Sequence, residues 1–98
     1  KDLVEEQWQS GEEVIGSISL VYGHHKRELV EKLTELQHKF HNLIISTQHV
    51  HMDHDNCFEI VIVKGKAEQV RALAQKMQAS KGVKYLSLSV STTGQGIV

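Results

Sequence analysis

Three histidines and the only cysteine of this 98-residue chain lie within nine positions, from His49 to Cys57. His51 and His54 complete the group. Neutral imidazole nitrogen and thiolate sulfur are the ligands that nickel, copper and zinc prefer in proteins. The pattern predicts a transition-metal site, and we interpret the chain as a metal-sensing regulatory domain.

The segment around these ligands is typical of a β-hairpin, because Asp53 to Asn56 has the composition of a turn. His49 and His51 are two residues apart, so on a strand they share one face. Cys57 joins that face if it lies opposite His51 or if the connection contains a bulge. It points the other way if it lies opposite Met52.

The side chains of the third strand favour one of these alternatives. Its three bulkiest residues are expected to face the helices: Phe58, Ile60 and Ile62. Cys57 and Glu59 then lie with the histidine pair on the face away from the helices, whereas Val50 and Met52 point toward the helices. We therefore expect an odd-length connection or a bulge between Met52 and Cys57.

Apolar periodicity along the whole chain predicts the order strand, helix, strand, strand, helix, strand. The predicted strands cover Val14–Tyr22, Leu43–Met52, Cys57–Lys64 and Val83–Val90, and the predicted helices cover Lys26–Phe40 and Ala67–Ala79. Asn42 and Gly82 are the expected stops after the two helices. This order predicts an α+β, ferredoxin-like βαββαβ domain, with a four-stranded antiparallel sheet and both helices on one face.

A sheet with both helices on one face leaves its other face bare. Four apolar residues are expected to line that bare face: Leu43, Ile45, Val61 and Val63. A largely apolar exposed face favours self-association. We therefore expect an oligomer assembled sheet to sheet.

Composition narrows the class of protein. The net charge of −1 gives no sign of a nucleic-acid footprint over the whole chain, and no apolar run reaches the roughly 18–20 residues that a membrane span needs. A lone cysteine forms no internal disulfide, which favours a reduced, cytoplasmic protein. The chain begins with Lys1 and the segment 1–12 resembles the end of a helix and a linker, so we expect a fragment of a longer protein.

Two histidines and a thiolate on one hairpin leave at least one coordination position open. A histidine from another chain could fill it, and His38 and His41 near the end of the first helix are the candidates. The residues alone do not choose between them.

The pattern Gln37-His38, followed by His49-x-His51-x5-Cys57-x-Glu59, resembles the C-terminal domain of the nickel-responsive ribbon-helix-helix regulators. Three further segments strengthen the resemblance: Leu20-Val21-Tyr22, His25-Lys26-Arg27-Glu28-Leu29 and Val63-Lys64-Gly65. The resemblance covers about residues 3–90. The chain departs from some relatives after His38, where Lys39-Phe40-His41 replaces a run of histidines.

This resemblance implies an ACT-like fold and a tetramer that binds one Ni(II) per subunit. The implied ligands are His49, His51 and Cys57 of one chain and His38 of a neighbour. From the residues themselves, Glu59 shares the face of His49 and His51 and could either orient a ligand or serve as an interface hydrogen bonder. His41 and His54 are expected at the surface, where they could make auxiliary metal contacts. The resemblance also implies an absent N-terminal domain that binds a DNA operator, with residues 1–12 continuing from it. The metal domain then covers residues 13–92, and Gly94 and Gly96 predict a flexible tail at 93–98. Lys26 and Arg27 could then contact the DNA backbone.

Three other functions stay open. An ACT-like module that senses a small molecule at a subunit interface would not need Cys57 and three spaced histidines. A sensor of copper or zinc would use the same ligands in another geometry. A metalloenzyme would need an acid or base beside an open metal position, and only Glu59 could serve; a site closed by a neighbour's histidine argues against an enzyme.

Overall fold

The computed structural model describes residues 12–23 and 25–92, and it confirms the predicted element order. The elements are β1 (Glu13–Gly23), α1 (Arg27–Lys39), β2 (Ile44–His51), β3 (Asn56–Lys66), α2 (Ala67–Gln78) and β4 (Val83–Thr92). The expected helix end and linker in residues 1–11 and the expected tail from residue 93 lie outside the described residues.

The four strands form one sheet in the order β2-β3-β1-β4, and every neighbouring pair is antiparallel. The helices bury their apolar stripes in a single core against one face of this sheet. The stripes consist of Leu29, Leu33 and Leu36 on α1 and Val70, Leu73, Ala74 and Met77 on α2. The α+β fold with both helices on one face is therefore confirmed.

The expected lining of the bare sheet face is wrong. Val61 and Val63 are fully buried in the core and Leu43 is 4% exposed. The reason is register, because Val61 lies opposite Ile18 of β1, and paired residues share a face. Ile45 is exposed, but it sits at a register shift between Ile44 and Ser46.

The open face of the sheet carries the alternate set of residues. Its apolar members are Ile15 and Val21 of β1, Val50 of β2, Phe58, Ile60 and Ile62 of β3, and Tyr85 of β4. We call these seven residues the open face. The three bulky β3 residues expected against the helices therefore lie on the opposite side, where they are half-buried by their own neighbours.

The C-terminal ends of α1 and α2 differ in how the helix is terminated. Gly82 after α2 has φ of +105°, the left-handed region expected of a glycine stop. No non-glycine residue in the described ranges has positive φ, so Asn42 does not provide the left-handed stop expected after α1. That helix ends in a turn in which the Leu43 amide donates to the Phe40 carbonyl.

Within the described residues, none of the helices combines the length and apolar character needed to cross a membrane.

Candidate metal centre

The β2–β3 register brings the candidate ligands of the hairpin to one face, which we call the ligand face. His51 lies directly opposite Cys57, and His49 lies directly opposite Glu59. Five residues, 52–56, separate the paired residues His51 and Cys57, so the connection is odd in length when counted from His51 and not from Met52 as we expected. Of the two pairings that the sequence allowed, the structure has the one that places the sulfur with both imidazoles.

The side of the sheet on which these ligands lie differs from our expectation. Cys57 pairs with Tyr22 of β1, whose side chain is buried toward the helices, so the ligand face is the helix-bearing face. Val50 and Met52, expected against the helices, are 40% and 52% exposed. Strand β3 is apolar on both faces, and only its pairing with β1 decides which face points inward.

Burial along this ligand face changes from one strand to the next. Cys57 is 5% exposed, whereas His49 and His51 stand on β2, which is an edge strand of the sheet. The side chain of His49 is 60% exposed. The sulfur of Cys57 therefore lies at the edge of the core, and the imidazoles of His49 and His51 lie beside it on the exposed edge strand.

The tip of the hairpin is held by Asp53. Its Oδ1 accepts hydrogen bonds from the backbone amides of Asp55 and Asn56, both at 2.9 Å. These donors hold the pKa of Asp53 below its usual value, with the Asp55 amide the largest cause. Asp and Asn are common in such turns because their side chains form hydrogen bonds with nearby backbone groups.

Glu59 is a buried carboxylate with three partners from three different elements. It is 1% exposed. The hydroxyl of Tyr22 donates to Oε1 at 2.7 Å, Gln37 Nε2 donates to Oε2 at 2.6 Å, and His49 Nε2 lies 3.2 Å from Oε1. Burial, followed by the hydrogen bond to Glu59, raises the pKa of Tyr22 well above its usual range.

Tyr22 and Gln37 were not among the candidate site residues predicted from the sequence. A signal existed for the tyrosine, because the alternation of β1 turns it inward, where a phenol needs a polar partner. Gln37 gave no such signal, since it sits on the half-buried flank of α1, and its reach to β3 depends on how the helix packs.

The two candidates for a fourth ligand lie at the C-terminal end of α1 and after it. His38 and His41 are exposed, their ring centroids are 6.3 Å apart, and His41 Nδ1 contacts the His38 carbonyl at 3.0 Å. The adjacent Gln37 contacts Glu59, so this end of the helix lies beside the ligand face of its own chain.

The ligand atoms of the hairpin set are not drawn together within this chain. Among the described residues, the one group with three ligand atoms all within 4.8 Å of one another is His25, His54 and Asp55. His49, His51 and Cys57 share a face but do not meet this distance. His54, expected as an auxiliary contact, therefore lies with His25.

Lys26 and Arg27 are both exposed at the start of α1. They line an open cavity of about 660 Å³, together with Lys32 and Lys81. The N-terminal end of α1 therefore presents several cations on one surface, with the Glu28 carboxylate among them.

The fold is shared with proteins of very different sequence. A structure of an uncharacterized protein from Thermotoga maritima matches with a TM-score of 0.73 at 16% identity, covering 81% of this chain and 98% of that one. The C-terminal domain of the MgtC protein from Mycobacterium tuberculosis matches with a TM-score of 0.59 at 10% identity, covering 95% of this chain and 99% of that one. Both likenesses concern the βαββαβ architecture alone. Fold and hairpin together define a small α+β domain with a candidate transition-metal site.

The family is shown by sequence. The model of the NikR C-terminal nickel-binding domain matches residues 15–91, and the chain belongs to this family. A protein of Chlorobium limicola is 51% identical over 94 residues, which cover 96% of this chain and 70% of that protein. A protein of Nitratidesulfovibrio vulgaris strain DP4 is 48% identical over 96 residues, covering 97% and 69%. Both carry the name "Putative nickel-responsive regulator".

Proposed function

We propose that this chain is the nickel-sensing and oligomerisation domain of a cytoplasmic transcriptional repressor that controls nickel uptake. It holds one Ni(II) per subunit, in a homo-tetramer that binds a DNA operator through a domain N-terminal to this one. In this proposal the protein acts as a regulator and not as an enzyme. It is supported by membership of the nickel-binding family and by the names of the relatives.

The observation that carries the proposal is the β2–β3 register. It pairs His51 with Cys57 and places His49 on the same face, so one hairpin offers two imidazoles and a thiolate. This donor set fits a borderline divalent cation, and imidazole and thiolate must both be deprotonated to bind it. When bound, the metal supplies a link between groups that the folded chain alone leaves apart.

His38 of a neighbouring subunit is proposed as the fourth ligand. Its exposure leaves it accessible to a second chain, and within its own chain it does not cluster with the hairpin ligands. A cation that bridges two chains stabilises the assembly in which they meet, by the linkage between binding and association. His41 is the auxiliary candidate beside it.

Glu59 is proposed to orient His49. Its carboxylate is 3.2 Å from one ring nitrogen of His49 and is itself fixed by Tyr22 and Gln37. A carboxylate that accepts from one imidazole nitrogen sets the tautomer and leaves the other nitrogen for a metal.

Lys26 and Arg27 are proposed to contact the DNA backbone in the full regulator. Support comes from their exposure and from the further lysines on the same surface. Such contacts position a protein on DNA without reading its sequence.

Nickel titration tests the proposal. One equivalent of Ni(II) per chain should produce thiolate-to-nickel charge-transfer absorption, with d–d bands typical of planar imidazole–thiolate coordination. Cys57→Ser should abolish the charge-transfer band, and His49→Gln and His51→Gln should weaken binding about tenfold or more, since even outer partners of a ligand are worth that much.

Thr47→Val is the matched control, because Thr47 lies on the same strand and the same face but offers no ligand. It should bind nickel as the unaltered chain does. An unchanged absorption spectrum in Cys57→Ser would overturn the proposal.

A further inference from the structure

A second cluster of metal-ligand side chains lies outside the site described above. His25 stands in the connection between β1 and α1, and His54 and Asp55 stand in the turn between β2 and β3. We propose that these three residues form a second, surface site for a borderline divalent cation such as zinc or nickel. The proposal does not depend on metal binding at Cys57.

The distances suit a cation. The three ligand atoms all lie within 4.8 Å of one another, and His25 Nε2 lies 3.7 Å from Asp55 Oδ1. Ligands about 2.1 Å from a shared tetrahedral metal are roughly 3.4 Å apart, so one pair already lies near that spacing. The remaining adjustment is of the order of 1 Å, and all three side chains are exposed and able to make it.

Both segments that carry the ligands are ordered by their own hydrogen bonds. Asp53 fixes the β2–β3 turn through two backbone amides, and Lys84 Nζ donates to the Asn56 side-chain oxygen at 2.5 Å. On the other segment, the Lys26 amide donates to the Gly23 carbonyl at 3.3 Å. His54 and Asp55 therefore lie in a turn held by its own hydrogen bonds, and His25 directly precedes Lys26, whose amide is bonded to β1.

The donor set indicates the class of cation. Two imidazoles and one carboxylate select metals that accept nitrogen, whereas calcium and magnesium prefer oxygen alone. His25 Nε2 also contacts the His54 carbonyl oxygen at 3.1 Å, a contact that the cation would replace. With no thiolate and high exposure, this site should bind more weakly than one that contains Cys57.

A cation here would join two parts of the chain 29 positions apart. One is the turn that leads from His51 into Cys57, and the other directly precedes Lys26 and Arg27 at the start of α1. The site would therefore fix the β2–β3 turn against the surface that carries those cations.

The experiment is Zn(II) titration of the full chain carrying Cys57→Ser, followed by calorimetry and by the NMR signals of the imidazole rings. Zinc should shift the His25 and His54 ring signals together, at the same zinc concentration. Adding His25→Gln, His54→Gln or Asp55→Asn should each weaken this binding about tenfold or more.

The control is Glu31→Gln in the same background, which removes an exposed carboxylate of α1 that belongs to neither turn. It should leave the binding that shifts His25 and His54 unchanged. Zinc binding of equal affinity with and without His54, or ring shifts confined to His38 and His41, would overturn the second site. Because Cys57 is absent throughout, the result is separate from that of the nickel titration.

Discussion

At the scale of single residues, the buried carboxylate of Glu59 joins β1, α1 and β2. Its contacts to Tyr22, Gln37 and His49 satisfy a charged group that would be costly to bury alone. Removing one donor leaves that charge with fewer partners, so the cost should exceed that of an ordinary hydrogen bond.

Tyr22→Phe should therefore destabilise the metal-free protein by about 1–3 kcal/mol, because the ring keeps its packing while the carboxylate loses its donor. Urea denaturation followed by circular dichroism measures the change. Tyr85→Phe is the control, since Tyr85 is 58% exposed and its change should stay within about 0.5 kcal/mol. Equal effects of the two substitutions would contradict the role given to the Tyr22–Glu59 contact.

The sequence predicted the ligand pairing at Cys57 but not the side of the sheet. Spacing alone gives the common face of His49 and His51, and turn length limits the partner of Cys57 to few choices. The side depends on the pairing of β3 with β1, which lies far away in the sequence. Side-chain size wrongly predicted that Phe58 and Ile60 face the helices, because the smaller Cys57 and Val61 are the residues buried in the core.

At the scale of elements, the order and bounds of strands and helices could be predicted because most alternation was clear. In β1, Ile18, Leu20 and Tyr22 point inward as expected and Ser17 and Ser19 point outward. The end of α1 could not be predicted in the same way, because a turn closed by Leu43 and Phe40 leaves no mark as clear as glycine.

Gly82→Ala tests the glycine stop after α2. The substitution places a Cβ on a residue with φ of +105° and 2.9 Å from Leu29 Cδ2. We expect a loss of about 1–2 kcal/mol or more from the backbone alone. Thermal and urea unfolding measure it.

Gly23→Ala is the matched control for that change. The nearest atom to a Cβ at Gly23 is 3.7 Å away, and its φ is not positive. It should cost less than about 1 kcal/mol. A stability of Gly82→Ala at or above that of Gly23→Ala would contradict the assignment.

At the scale of the whole molecule, the open face and the ligand face are opposite sides of one sheet. The proposed tetramer through the sheet face and the proposed bridging by His38 therefore concern two different surfaces. This distinction could not come from the sequence, which placed the histidines and the bare face together.

Ile60→Lys tests assembly through the open face. Ile60 lies on that face, and a lysine there should keep the fold, because its stem can lie along the sheet, while its charge opposes apolar packing with a second copy. Sedimentation equilibrium should show a smaller assembly. Gln75→Lys, which adds the same charge to an exposed position of α2, should leave the mass unchanged, and an unchanged mass in Ile60→Lys would contradict assembly through this face.

Mixed subunits test whether His38 acts across chains. The His38→Ala chain keeps the thiolate but lacks the fourth ligand, and the Cys57→Ser chain lacks the thiolate. At a nickel concentration too low for His38→Ala alone to give charge-transfer absorption, the two chains unfolded and refolded together should regain about a quarter of the sites, since half of the pairs are mixed and each mixed pair contains one complete set. Charge-transfer absorption measures the recovery. If all four ligands belonged to one chain, the mixture would stay without signal.

The position of β2 at the margin of the sheet has a consequence for motion. Among the described strands it neighbours only β3, and every residue of β2 after Ile44 is exposed, so its amides should open to deuterium exchange more readily than those of β3. A metal bound by His49 and His51 would slow that local opening. The protection from exchange gained along β2 would therefore report metal binding without relying on charge-transfer absorption.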